Sequence, residues 1–310
     1  MLRGCRDGAP VGKHRSTLSM HPLLLPPRHR SVLTVLAVGL VVAALPGVAA
    51  AAGPTPAPAK ILSVAWGSSN QTACPGGTAT NLDNIPVVFT WFIRPASIRP
   101  SDFTVVREDG TTVQATCAIQ YPPDERNELQ TINMIGDFGE PIAGQRPVEL
   151  RVTGALQGRP IGNVGWRAVG RLAPHAITQL EAAPFIVDAW TLTPRLYAGD
   201  RNRCTVGSTF VRVVWSNGIT AYSTGAEVGS AVTASYRAVY TRDGRRLSVA
   251  PLAIADLNDH STAAMADNMH DLCLPAVPRT ARLRGITLAA DLVQDPNGDP
   301  NAAQRFSVRG

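Results

Sequence analysis

Several motifs that would assign a catalytic function are missing from this sequence. It has no Gly-x-Ser-x-Gly nucleophile motif. It also has no His-Glu-x-x-His zinc motif and no glycine-rich loop of the Walker or dinucleotide-binding type. No Cys-x-x-Cys pair is present, which argues against a structural zinc site. The sequence therefore offers no motif-based assignment to these enzyme classes.

A run of basic residues is also lacking beyond the first part of the chain. The net charge is +6, but the first 52 residues hold six basic residues and one acid, which leaves the remainder near +1. The densest later cluster, Arg242 to Arg246, has the composition of a charged hairpin tip. A nucleic-acid-binding protein needs a basic face that neutralises phosphates. We therefore expect no nucleic-acid partner.

Only one long apolar run occurs, from Val32 to Leu45, and it follows the basic segment. It has about 14 residues before Pro46, whereas a membrane-spanning helix needs about 20. A basic region, a short apolar region and small residues before a cleavage site are typical of a signal peptide. We predict that residues 1–52 are such a signal, starting at Met1 or Met20. The mature protein is then secreted and has no membrane span.

Cysteines are few, and Cys5 lies in the predicted signal peptide. An even number in an exported chain favours disulfide bonds over free thiols. Three pairings are open for the remaining four cysteines. Because two fall in each half of the mature chain, we favour Cys74–Cys117 and Cys204–Cys273.

Short runs with a period of two, separated by Gly, Pro, Asn and Asp, predict an all-β protein from Lys60 onward. Asp109-Gly110 and Asp243-Gly244 predict hairpin turns, because these residues tolerate positive φ. Each half exceeds one hundred residues, which is enough for an independent core. We predict a proline-rich spacer at 53–59 and two β-sandwich domains in series, at 60–187 and 188–310.

Residues 92–105, followed by Asp109-Gly110, resemble the middle of bacterial immunoglobulin-like domains. In that family a strand ends in Pro, as at Pro95, and a short loop ends in Ser-Asp-Phe, as at residues 101–103. The resemblance implies an immunoglobulin-like sandwich that serves as a spacer or adhesion module, and it implies no functional residues. The cysteine pair departs from the family, whose members usually lack cysteine.

Two polar segments of the second half, residues 256–271 and 291–301, are rich in oxygen ligands. Segments 256–257, 267–268, 272–274 and 295–301 are similar to those of a group of exported two-domain β proteins, a likeness that assigns no activity. Side-chain oxygens alternate around Gly298 as in a Ca²⁺ loop. No bidentate Glu follows, however, and a strong turn without metal stays open. The candidate Ca²⁺ ligands are Asp256, Asp267, Asn268, Asp295, Asn297, Asp299 and Asn301.

Other polar residues suggest weaker alternatives. His260, His270 and Asp271 satisfy a catalytic zinc site by number, but two surface loop histidines are the simpler expectation. Glu128, Asp137 and Glu140 are candidate paired carboxylates of a glycoside hydrolase, although solvated loop acids are the default.

We therefore predict a secreted, non-catalytic binding or adhesion module with a Ca²⁺-stabilised second domain. Its partner is expected to be an extracellular ligand or a cell-surface polymer. The alternative is an extracellular hydrolase that acts on a polysaccharide or another polymer through loop carboxylates.

Overall fold

The computed structural model describes residues 56–121, 123, 128–197, 203–255 and 268–309, and it confirms the predicted all-β class. The helices are α1 Pro194–Tyr197 and α2 Ser230–Ser235, with 3-10 turns at Pro95–Ser97 and Pro100–Asp102. Within the described ranges, no helix is long and apolar enough to cross a bilayer.

Twenty-two strands are described, twelve of them before residue 180. The first twelve are β1 Ile61–Val64, β2 Ser68–Thr72, β3 Leu82–Phe89, β4 Trp91–Ile93, β5 Phe103–Arg107, β6 Thr112–Gln114, β7 Cys117–Ile119, β8 Thr131–Gly136, β9 Pro147–Val152, β10 Gln157–Pro160, β11 Arg167–Ala168 and β12 His175–Ala176. The others are β13 Ile186–Leu192, β14 Thr209–Trp215, β15 Thr220–Ala221, β16 Arg237–Arg242, β17 Arg245–Val249, β18 Ala253–Ala255, β19 Met269–Leu274, β20 Arg282–Leu288, β21 Val293–Gln294 and β22 Gln304–Ser307.

Four antiparallel sheets hold the core. Sheet A has the strand order β12-β9-β5-β6, and sheet B has the order β1-β3-β8-β7 with β2 beside β3. Sheet C has the order β13-β14-β19-β18, and sheet D has the order β17-β16-β20-β22. Two smaller sheets, β11-β10-β4 and β15-β21, complete the fold.

The sheets pack in the layer order A, B, C, D. Phe103 of sheet A lies with Val87 of sheet B in one buried cluster. Val213 of sheet C lies with Ile286 of sheet D in a second. Sheets B and C are in turn joined by a cluster that contains Val88 and Val214. A further cluster also draws on both halves of the chain. Sheets B and C are therefore covered on both faces, while A and D each keep an outer face.

This double burial explains the two most apolar strands. In β3, Val87 belongs to the core between A and B, and its neighbour Val88 packs at the junction of B and C. In β14, Val213 belongs to the core between C and D, and Val214 packs at the junction of B and C. Strands covered on both sides are continuously apolar rather than alternating. Each buried Val or Phe contributes about 1.5–3 kcal/mol.

Both predicted disulfides are confirmed. Cys74 bonds to Cys117, and Cys204 bonds to Cys273. The linked residues are 43 and 69 positions apart. In the loop-entropy account each bond stabilises the folded state by about 4 kcal/mol.

Both hairpins predicted from Asp-Gly turns are also found. Gly110 and Gly244 have φ of 82° and 74°, and they connect β5 to β6 and β16 to β17. No strand lies between Ile177 and Phe185, although this segment is partly apolar. Pro184 and the turns before it interrupt the ladder there.

Candidate functional site

The segment from Asp295 to Asn301 is a turn stabilised by its own side chains. Asp295 is buried, and its Oδ1 accepts the backbone N–H groups of Asn297 at 2.9 Å and Asp299 at 3.1 Å. Gly298 has φ of 88°, which closes the turn. Burial of the carboxyl raises the pKa of Asp295 to about 6, with a smaller contribution from the nearby Asp299 charge. The turn chemistry therefore accounts for much of this polar sequence.

The two asparagines of this turn fix its position. Asn301 is buried, and its Oδ1 accepts the N–H groups of Leu292 and Val293, each at 2.9 Å. Its Nδ2 donates to two backbone carbonyls on the same segment. Asn297 instead reaches the first half of the chain, where its Nδ2 donates to Gly67 O at 3.0 Å. The turn thus helps to hold the two halves together.

Asn268 lies at the junction of sheets B and C. Its Oδ1 accepts a hydrogen bond from Thr131 Oγ1 at 3.1 Å, and its Nδ2 donates to Trp215 O at 2.7 Å. Asp256 and Asp267 lie outside the described residues. Within the described ranges, no three Asp, Glu, His or Cys side chains are grouped so that they could hold a metal ion. Calcium binding stays a prediction.

A buried ion cluster at the same junction was not anticipated from the sequence. Arg212 of β14 donates from Nε to Asp271 Oδ1 at 2.8 Å and from Nη2 to Asp271 Oδ2 at 2.9 Å. The same Nη2 lies 3.4 Å from Glu128 Oε1 of the first half. All three side chains have at most 1% exposed surface. One buried arginine therefore contacts a carboxylate from each half of the chain in a closed interior.

The expectation of a solvated loop acid is wrong for Glu128, which is buried against Arg212. Asp271 lies in the central strand β19. Asp137 and Glu140 do lie at the surface, where Arg107 pairs with Asp137 and Asn70 donates to Glu140. The local signal that could have found the cluster is the lone charge in an apolar strand, since Arg212 sits between Val211 and Val213.

Further polar bonds cross the junction around this cluster. Gln130 donates from Nε2 to Asp188 Oδ2 at 2.7 Å, and it accepts Trp190 Nε1–H at 3.3 Å. Asp188 also accepts Arg309 Nε–H at 2.9 Å. Because buried polar groups need specific partners, these bonds allow one relative placement of the two halves.

His270 is not a surface histidine, which corrects the expectation for this residue; His260 lies outside the described part of the chain. His270 is buried between sheets C and D, where its Nδ1 lies 2.9 Å from the Tyr236 hydroxyl. Burial lowers its pKa to about 3, so the imidazole is neutral at physiological pH. The ring also meets Trp215 edge to face. These contacts give His270 a structural role in the core.

The first half carries a shallow cleft of about 380 Å³ beside the two 3-10 turns. Arg94 and Arg99 line it, but both already make internal bonds. Arg94 donates to Gln157 Oε1 at 2.7 Å, and Arg99 donates to two backbone carbonyls. These side chains therefore brace the cleft wall.

Comparison with protein-family models and with curated protein sequences finds no match to this chain.

Proposed function

We propose that this chain is an exported, non-catalytic binding or adhesion protein. In this proposal residues 1–52 direct export, and residues 60–187 and 188–310 form two immunoglobulin-like sandwiches. Two disulfide bonds and an antiparallel, strand-rich fold support an extracytoplasmic location, because disulfides persist in oxidising compartments. Calcium enters the proposal as an ion that stabilises the second sandwich.

The observation that carries the proposal is the closed ion cluster of Arg212, Asp271 and Glu128. Glycoside hydrolysis requires two carboxyls that flank a bond in an open cleft. Glu128, one of the three acids that the hydrolase alternative would use, instead faces a buried guanidinium. The ion cluster instead holds the two halves in one orientation, which suits a rigid scaffold that presents its outer faces.

Glu128→Gln separates the module from the hydrolase alternative. The variant and the wild-type protein are incubated with purified cell-envelope polysaccharide, and both polymer retention and newly formed reducing ends are measured. We expect equal retention by both proteins and no reducing ends from either. Glu149→Gln, at a partly exposed acid paired with Arg151, is the matched control. Reducing ends that form with the wild type and the control, but not with Glu128→Gln, would establish the hydrolase instead.

A further inference from the structure

Sheet D has one face against sheet C and one face toward solvent. Ala238, Leu247, Ile286 and Phe306, one from each strand, belong to the core cluster or pack against it. Because side chains alternate along a strand, the residues between them form the outer face. That outer face carries five exposed arginines, which we call the arginine face: Arg237, Arg246, Arg282, Arg284 and Arg305.

The strand register places part of the arginine face in one row. Thr241 of β16 pairs with Arg246 of β17 on one side and with Arg282 of β20 on the other. Neighbouring strands are about 4.8 Å apart, so the backbones of the two arginines lie about 10 Å apart. Arg284 joins this row, since its Nε donates to Thr241 Oγ1 at 2.8 Å.

A second row lies further along the same strands. Thr287 of β20 pairs with Arg237 of β16 on one side and with Arg305 of β22 on the other. The spacing is again about 10 Å from strand to strand. Each row therefore places one arginine on each side of a threonine. Together the two rows cover a wide, regular surface.

The charge of the arginine face is not balanced by acids on the same sheet. The four strands of sheet D contain no Asp or Glu. Asp243, at the tip of the β16–β17 hairpin, lies 3.4 Å from Arg242, which is outside the arginine face. Among the described residues, no carboxylate forms an ion pair with any of the five arginines.

The outer face of sheet A provides an internal comparison. There Arg151 Nε lies 2.7 Å from Glu149 Oε1, so charge is locally balanced. Clustered like charges on a sheet repel one another and lower stability. Binding of an anionic partner would remove that repulsion in sheet D, and guanidinium groups bond well to carboxylate and sulfate oxygens.

The composition of the face discriminates among anionic partners. Val239, which lies on the same side of β16, is buried, and no exposed large apolar residue of the described chain lies on the strands of sheet D. Binding in a membrane interface uses Trp, Phe or Leu beside the basic residues. Single-stranded nucleic acids use exposed aromatics for base stacking, and a flat sheet does not enter a duplex groove. An extended acidic polysaccharide needs only repeated cationic and hydroxyl contacts.

We infer that the arginine face of sheet D binds an acidic polysaccharide through its carboxylate or sulfate groups. This inference rests on the proposed function, and it specifies the ligand class and the surface that the exported protein uses. The chain's near-neutral charge beyond residue 52 does not oppose it, because the cations are concentrated on one side of one sheet.

The test compares a triple variant of the face with a control of equal charge. Arg246→Gln, Arg282→Gln and Arg305→Gln remove three arginines whose side chains make no hydrogen bond or ion pair within the described residues. The control replaces three exposed arginines of the first half by Gln: Arg94, Arg151 and Arg171. Binding of the full protein is measured on immobilised polygalacturonate and dextran sulfate, with uncharged dextran as the reference.

We expect the wild type to bind at least one acidic polymer and to lose affinity as NaCl rises from about 50 mM to about 300 mM. The face variant should bind about tenfold more weakly, whereas the control should change by less than about twofold. A stronger response to carboxylate or to sulfate identifies the group that is bound. Circular dichroism of all three proteins verifies that the sheets are intact.

Equal losses in both variants would overturn the inference, because net charge alone would then explain binding. Tighter wild-type binding to phosphatidylglycerol vesicles or to DNA than to the acidic polymers would also overturn it. If the wild type and both variants bind uncharged dextran as well as they bind the acidic polymers, the inference fails while the proposed function stands. If the wild type is retained on no polymer and does not bind cell-envelope polysaccharide, both fail.

Discussion

Arg212→Met removes a buried cation that faces two buried carboxylates at the junction of sheets B and C. The guanidinium is fully buried, and it makes a bidentate pair with Asp271 at 2.8 and 2.9 Å. Glu128, from the other half of the chain, lies 3.4 Å from the same group. Methionine fills much of the same volume without charge, so the variant chiefly changes the electrostatics of the junction.

The expected loss of stability is large because Asp271, in a closed interior, loses both of its hydrogen bonds to the guanidinium. Removing one partner of a buried ion pair lowers the unfolding free energy by about 3–5 kcal/mol. Domains have a total unfolding free energy of about 5–15 kcal/mol, so the variant should lose a substantial fraction of it. Arg151→Met is the control, because its pair with Glu149 is equally short but half exposed. An exposed pair contributes about 0–1 kcal/mol.

Urea unfolding followed by tryptophan fluorescence, with the disulfides oxidised, measures both effects. If the unfolding free energies of the variants and the wild type fall with urea concentration at the same slope, the same surface area is exposed on unfolding. The triple variant Arg212→Met, Glu128→Gln and Asp271→Asn should recover roughly half of the loss, because no buried charge is left uncompensated. The reasoning is refuted if Arg212→Met is no more destabilising than Arg151→Met, or if the triple variant is no more stable than the single one.

Three further predictions concern other parts of the chain. Asp299→Asn keeps the turn but removes the negative charge of a candidate Ca²⁺ ligand. Excess Ca²⁺ at a hundredfold its Kd should stabilise the wild type by about 2.7 kcal/mol and the variant less. Coincident melting curves of the wild type with Ca²⁺ and with EDTA would contradict calcium binding. His270 has a pKa of about 3 in the folded protein and an ordinary pKa in the unfolded chain. Its contribution to folding stability is therefore complete above pH 6.5 and is lost as the pH falls toward 3. Unfolding measured between pH 6.5 and 5 should show a slope of up to about 1.4 kcal/mol per pH unit, and this slope should be smaller in His270→Gln. Mass spectrometry of exported protein should find an N-terminus between Ala50 and Pro54, whereas retention of residues 32–45 would contradict signal cleavage.

Local features of the fold were predictable from the sequence. The Asp-Gly dipeptides at 109–110 and 243–244 produce hairpins because their backbone preference depends only on those residues. The disulfide pairing followed from the presence of two cysteines in each half of the chain. The all-β class followed from a period of two, which is also a local property.

Residues that act across sheets were misjudged for the opposite reason. His270 and Asp271 are neighbours in a polar stretch, yet alternation along β19 sends them to opposite faces, one toward Tyr236 and the other toward Arg212. Glu128 was expected to be solvated but is buried, because Arg212 of the second half packs against it. No pattern within one half of the chain contains the partner that buries such a residue.

The sequence by itself determined which residues of each strand of sheet D alternate outward, and it determined that none of these four strands contains an acid. Only the tertiary structure decided that Arg237, Arg246, Arg282 and Arg305 share one surface, through the pairing of β17, β16, β20 and β22. Strand order and register depend on contacts between residues that are distant along the chain, and a shift of one residue would turn the arginines of a strand to the other face. Net charge near +1 beyond residue 52 therefore coexists with a strongly cationic face.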